Sequence, residues 1–349
     1  MNLKNKTLDL WLEKQKKKDF PGHGDIDYYG RYVSIENHLN KHIHRHVTAI
    51  ASIKDGGYLT DHGPDHIKNV IRKASELVNS PEFEITPYEV YLLLVAIHLH
   101  DVGHIKDGRY QHEINTREVM VKIGSIIGKD NAEKKYICDI AEAHGGNILG
   151  NKDKISHIPE KEPILGFPVR LQLLASILRF ADELSDDRTR AALYLMEEQS
   201  IPKPSEVFHH YAYALHSVRI VLEGKVVEMH FNLNKKNVFN KYGKNSKEVY
   251  LLDEIYERTL KTYCECIYCM RFIPTAIQIK SVKVKIEFID DSLRPFREPI
   301  VYQLAETGYP NFPNNNIFDM CPEKLRVNGE NLTGIKLKEL LEKNQKGEE

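Results

Sequence analysis

Two residue types that an apolar helix does not need stand side by side at the end of one. The run Ala96-Ile97-His98-Leu99-His100-Asp101-Val102-Gly103-His104 closes a segment, Val90 to Ile97, that is almost wholly aliphatic. An imidazole and a carboxylate placed together in such a setting must be stabilised by hydrogen bonds or by a metal ion. Suitable partners flank them. His66 lies upstream in Asp61-His62-Gly63-Pro64-Asp65-His66 and Asp182 lies downstream in Arg179-Phe180-Ala181-Asp182. Each sits in a helical pattern: Ile67, Val70, Ile71 and Leu77 after the first, and Leu173, Leu174, Ile177, Leu178 and Ala181 before the second. Three helices can therefore converge on a mixed nitrogen and oxygen site, which suits Mn, Mg, Fe or Zn rather than a soft thiolate metal. Asp186 and Asp187 compete with Asp182 for the last position, and Asp182 has the better apolar frame.

At these residues the chain resembles the HD-domain metal-dependent phosphohydrolases, whose ligands run His, His-Asp, Asp along the sequence. The resemblance implies His66, His100, Asp101 and Asp182 as ligands for one or two divalent cations per chain, and hydrolysis of a phosphate ester as the reaction. A divalent ion lowers the pKa of a bound water and neutralises charge developing on phosphorus. Among the branches, the deoxynucleoside triphosphate (dNTP) triphosphohydrolases are the closest. There a similar His-Asp-x-Gly-His is followed by a His-Glu pair opening the next helix, and His112-Glu113 matches that pair. The match implies His104 and His112 as general acid or phosphate contact beside Asp101, with Glu113 orienting His112. One departure stands out: the usual Pro-Phe-x-His-type continuation is replaced by Ile105-Lys106-Asp107-Gly108-Arg109-Tyr110.

His144, in Ile140-Ala141-Glu142-Ala143-His144-Gly145-Gly146, resembles a third helical histidine of dinuclear HD phosphodiesterases. If His112 and His144 share Asp101 as a bridging ligand, the site takes a second metal and the favoured substrate shifts to phosphodiesters, cyclic nucleotides included. Otherwise His144 is a helix C-terminal histidine favoured by the dipole. Lys106, Arg109, Arg117 and Arg188 lie beside the motifs and are the expected phosphate contacts. The leading expectation is a dNTP triphosphohydrolase releasing triphosphate and a deoxynucleoside. An HD phosphodiesterase for cyclic nucleotides or nucleic acid, and a non-catalytic nucleotide sensor, are the alternatives. Resemblance to bacterial conflict-associated HD proteins adds antiviral defence, a homo-oligomer and an allosteric nucleotide as expectations.

These residues need helices to hold them. The expected fold is mainly α: an N-terminal helical extension (1–57), an HD-type helical bundle (58–205), an appended small α+β subdomain (206–290) and a C-terminal arm (291–349). Thr86-Pro87-Tyr88-Glu89 reads as a helix start with a capping box, and Pro168 as a similar start ahead of the Asp182 helix. After residue 215 the period changes. Ser217 to Leu222 and Lys225 to Phe231 read as strands joined at Glu223-Gly224, followed by a helix over Ser246 to Arg271 and a strand over Ser281 to Phe288. A Pro- and Asn-rich stretch then precedes a short helix, Ile335 to Lys343.

The 349 residues, 41% hydrophobic and 28% charged with a formal net charge of -1, describe a globular protein without a global basic field for nucleic acid. Residues 1–20 place lysines around Leu8, Leu10, Trp11 and Leu12 without a signal-peptide core, and no stretch approaches the ~20 apolar residues of a membrane span, so a cytoplasmic location without membrane contact is expected. Cys264, Cys266 and Cys269 lack a second cysteine pair and fit reduced thiols on a helix. His42, His44 and His46 alternate, and their apolar flanks place them on a helix surface rather than in a metal strip.

Overall fold

The computed structural model describes all residues except 4–5, 23–24, 56–57, 59, 108–111, 307–315 and 347–349. Arg109, an expected phosphate contact, lies outside the described residues. Two compact units are present: Met1–Ser185 with Cys269–Gln278, and Asp186–Tyr268 with Ile279–Glu349.

The first unit is helical: α1 (Leu8–Leu12), α2 (Tyr28–Leu39), α3 (Arg45–Asp55), α4 (Pro64–Val78), α5 (Pro87–Leu99), α6 (His104–Asp107), α7 (His112–Ile127), α8 (Asn131–Glu142) and α9 (Leu171–Glu183), with a small hairpin of β1 (Glu162–Ile164) and β2 (Phe167–Val169) before α9. Helix α5 has no polar face, and every residue from Tyr88 to Leu99 is buried, so it is the central rod against which α1, α2, α4, α8 and α9 pack. Each of its aliphatic side chains contributes about 1.5–3 kcal/mol by leaving water.

Helices α5 and α9 each run 13 residues and carry site residues near their C-terminal ends. Their starts are tied together. Thr86 and Glu89 form the expected capping box, and the Glu89 carboxylate, 1% exposed, also accepts from Arg170 Nε at 2.8 Å and Nη2 at 2.7 Å. Arg170 is the residue before α9. With equal lengths and joined starts, the two helices end at the same depth. Pro168 does not open α9; it pairs with Pro163 in the β1–β2 hairpin, and Leu171 begins the helix.

In the second unit, α10 (Leu193–Glu197) and α11 (Glu206–Ala214) precede a four-stranded sheet. Its order is β3 (Leu215–Val221), β4 (Val226–Leu233), β7 (Ser281–Ile289), β8 (Pro295–Ala305), with β4 and β7 parallel and the outer pairs antiparallel. Between β4 and β7 run α12 (Lys235–Phe239), a hairpin of β5 (Lys241–Lys244) and β6 (Lys247–Tyr250), and α13 (Leu251–Met270). Val227, Met229 and Phe231 of β4 and Val282, Val284 and Ile286 of β7 are buried, and Thr259 of α13 hydrogen-bonds the Tyr302 hydroxyl of β8 at 2.7 Å.

Two expectations change here. The helix expected from Ser246 starts at Leu251, because Asn245 at φ +54 turns the chain into β6. The stretch expected as an arm supplies β8, an edge strand whose prolines, Pro295 and Pro299, are tolerated because one side of the strand has no partner strand among the described residues. The chain ends in α14 (Ile317–Met320), α15 (Pro322–Leu325), a two-residue hairpin of β9 (Arg326–Val327) and β10 (Glu330–Asn331), and α16 (Gly334–Lys346). No helix among the described residues is long and apolar enough to cross a membrane.

Candidate metal centre

His66 occupies the first turn of α4, which opens with Pro64 at its first position. Its Nδ1 is 3.2 Å from Ser185 Oγ, and that hydroxyl donates to the Asp182 carbonyl at 2.7 Å, so it accepts from the imidazole. His100 donates Nδ1–H to the Ile97 carbonyl at 2.7 Å, and His144 donates Nδ1–H to the Ala141 carbonyl at 2.6 Å. In all three rings the Nε2 lone pair is therefore left facing inward, the arrangement that metal-ligating histidines adopt. His66 Nε2 and His100 Nε2 are buried with no hydrogen-bond partner.

Asp101 joins two groups of imidazoles through its two oxygens. Its Oδ2 lies 3.4 Å from His66 Nε2 and 3.2 Å from His100 Nε2, and Asp182 Oδ1 lies 3.2 and 3.6 Å from the same nitrogens. Its Oδ1 lies 3.5, 3.7 and 3.6 Å from the Nε2 atoms of His104, His112 and His144. Donor atoms each about 2.0–2.2 Å from one ion are themselves about 3.0–3.6 Å apart, so both groups fit divalent cations. His66, His100 and Asp182 form one such cluster, Asp101, His112 and His144 a second, and His62, Asp101 and His104 a third.

The electrostatics ask for positive charge. Burial opposes ionisation of Asp101 and Asp182, yet the imidazoles around them hold both carboxyls well below the usual range. Burial likewise opposes charging His100, but the carboxylates of Asp101 and Asp182 raise it well above an ordinary histidine. Burial, with His100 and His112 nearby, pushes His144 down to about 3. Two buried carboxylates that recruit charge onto a buried imidazole are a donor set suited to a divalent cation. Access is from the side of Asp182 and His112, whose side chains remain 25% and 18% exposed.

Two glycines set the second group. A Cβ on Gly103 would lie 1.7 Å from the His112 carbonyl oxygen, so only glycine lets the start of α7 approach the end of α5. Gly146, at φ +72, packs on Glu113: a Cβ there would meet Oε1 at 1.8 Å. Glu113 in turn lies 3.5 Å from His112 Nδ1 and 3.9 Å from Lys154 Nζ. His104 stacks on His112 with ring centroids 4.0 Å apart. Arg179 donates to the Ala143 and Lys152 carbonyls, fixing the chain on both sides of His144.

Three of the expected phosphate cations have partners of their own. Lys106 pairs with Glu118 at 2.6 Å, and Arg117 with the half-buried Asp139 and Glu142 at 2.7 and 2.6 Å. Arg188, in the second unit, donates to the Tyr213 hydroxyl at 2.9 Å and lies over that ring. Asp186 is taken by Arg190 and Arg258, and Asp187 caps its own turn through Thr189. His44, expected on a helix surface, is buried and donates Nε2–H to the His98 carbonyl at 2.7 Å. The cause is a π-helical turn, Asn40–His44, which shifts the face that histidine presents.

Two residues around the cluster carry no motif in the sequence. Ser185 orients His66. His62, just ahead of α4, has its ring 5.6 Å from that of His66 and 5.2 Å from that of His104. The one signal for His62 is Gly63-Pro64, which marks a helix start and so puts His62 at the lip of the helix that carries His66.

The HD-CE family model matches residues 56–261, more than half of the chain and all of the clustered histidines and aspartates. The chain belongs to the HD-CE family. No curated protein matches it. Membership gives the chain an HD-type domain and makes metal-dependent phosphohydrolase its general class, and the clustered side chains are compatible with a divalent-metal hydrolase.

Proposed function

We propose that this HD-CE protein hydrolyses phosphodiesters, a cyclic or linear nucleotide being the substrate, at a centre for two divalent cations. The observation that carries this is Asp101, whose two oxygens face separate clusters, His66, His100 and Asp182 on one side and His112 and His144 on the other. Bound there, the cations supply an activated water and neutralise charge on the phosphoryl oxygens. The chain's own part is to hold the donor atoms. Ser185, Ile97 and Ala141 fix the three ring orientations, and Glu113 fixes His112. His104, stacked on His112, is left to contact a phosphoryl oxygen or to pass a proton to the departing oxygen.

The dNTP triphosphohydrolase reading is second. It makes His112 the general acid rather than a ligand, and it needs several cations for the triphosphate tail. Lys106 and Arg117 are already committed to carboxylates. What favours this reading is the His-Glu pair at the start of α7. A role in antiviral defence belongs to either reading as a setting for the activity.

Product analysis on the full chain with Mn or Mg decides between them. Nucleoside monophosphates from cyclic nucleotides or short single-stranded DNA, without dNTP turnover, support the proposal. Inorganic triphosphate and free deoxynucleoside from dNTPs replace it with the second reading. No turnover of either set in metal-loaded protein returns the chain to the sensor alternative.

A further inference from the structure

The second unit contains a cavity of about 600 Å³ that the metal chemistry does not use. Pockets for small ligands and cofactors run from about 300 to 1,000 Å³, so it is large enough for a mononucleotide. Leu195, Met196 and Ile201 give it an apolar side. His210 lines it too, its ring 3.7 Å from the buried ring of Tyr242 and tilted by 31°.

His210 has an unspent hydrogen-bonding capacity. Its neighbour His209 is fully buried and accepts the Ala192 N–H at Nδ1, whereas neither ring nitrogen of His210 has a hydrogen bond among the described residues. Burial pushes its pKa down to about 4, so at neutral pH it offers one N–H donor and one lone pair. Charge is unspent as well. Around the same cavity Lys203 pairs with Glu248 at 3.2 Å and Glu206 accepts the Gly243 N–H at 2.8 Å, while the Lys236 ammonium at the rim has no ion pair among the described residues. Asn240, also at the rim, adds an amide whose donor and acceptor have no partner among those residues.

We propose that this cavity binds a phosphorylated N-heterocycle of mononucleotide size, with His210 and Asn240 reading the ring edge and Lys236 holding the phosphate. A donor and acceptor pair beside an apolar wall suits the edge and face of a planar heterocycle, and an unpaired ammonium at the rim suits its anionic tail.

Calorimetric titration of the four ribonucleoside monophosphates into the full chain tests this. Chelator and the Asp101→Ala background silence the metal centre, and wild-type protein in chelator serves as the second measurement if that variant is poorly folded. The expected result is binding of at least one nucleotide at one per chain. Lys236→Ala, on the surface, should weaken the nucleotide by about tenfold or more and leave the matching nucleoside unaffected, while His210→Ala weakens both about tenfold. Inorganic phosphate should compete weakly and only when Lys236 is present. No binding of any of the four to wild-type protein in chelator overturns the proposal, as does an affinity that neither substitution changes.

Discussion

His112 and His144 point their Nε2 atoms at each other across 3.1 Å. His144 has committed its one N–H to the Ala141 carbonyl, so its Nε2 is a lone pair. The Glu113 carboxylate beside His112 Nδ1 favours the proton there, which leaves a lone pair on that Nε2 too. Two lone pairs held at this distance, with the Asp101 carboxylate about equally far from both, repel one another unless a cation sits among them.

The first expected outcome follows from that pair. His144→Ala removes one donor of the second cluster and none of the first, so metal analysis of purified protein should fall from about two ions per chain to about one, with a large loss of rate. An unchanged metal content would leave His144 as a helix-end histidine and the centre mononuclear.

Asp101 is shared, and its loss should be felt on both sides. Asp101→Ala should remove essentially all bound metal and activity while the far-ultraviolet circular dichroism stays that of a helical protein, because the α5 core does not depend on this side chain. Metal retained at the wild-type level in this variant would contradict the bridging role.

How much of this centre is legible in the sequence follows from where each residue gets its position. His66 and Asp182 sit on helices with clear apolar periodicity, and His100-Asp101 closes one that is apolar all round, so their convergence can be read from pattern. His62 and Ser185 lie just outside helix ends, where no period applies and only tertiary packing brings them in. The ion pairs of Lys106 and Arg117 are illegible for a related reason. Proximity in sequence to the motifs says nothing of which carboxylate a flexible side chain meets, and Glu118, Asp139 and Glu142 are the ones Lys106 and Arg117 meet. In the second unit β8 is masked by two prolines that an edge strand tolerates, and in the first the burial of His44 is masked by a π-turn that period counting does not anticipate.

Gly145 and Gly146 offer a matched pair of substitutions. A methyl on Gly146 would strike Glu113 Oε1 and strain a backbone at φ +72, whereas one on Gly145 meets nothing within 4 Å. Gly146→Ala should therefore displace Glu113, loosen His112 and weaken the second cation by roughly 10- to 100-fold, the usual cost of losing an outer-shell partner. Gly145→Ala should titrate as wild type. Equal metal affinity in both variants would show that Glu113 does not position His112.

Protonation of His44 should be visible in stability. Burial lowers its pKa from 6.5 to about 4, against a smaller raising effect from the hydrogen bond to the His98 carbonyl. The unfolded chain thus takes up a proton at this residue between pH 6.5 and 4 while the folded one does not. Its contribution is fully present above pH 6.5 and is lost as pH falls through that window. Between pH 7 and pH 5 the loss amounts to about 2 kcal/mol. Urea unfolding of wild type and His44→Gln at the two pH values isolates it, since every other titrating group is common to both proteins. The variant should be less stable at pH 7, by the cost of disturbing the stacked His44–His98 pair, and should lose about 2 kcal/mol less than wild type on going to pH 5. Parallel losses in the two proteins would mean that His44 charges as readily in the folded chain as in the unfolded one.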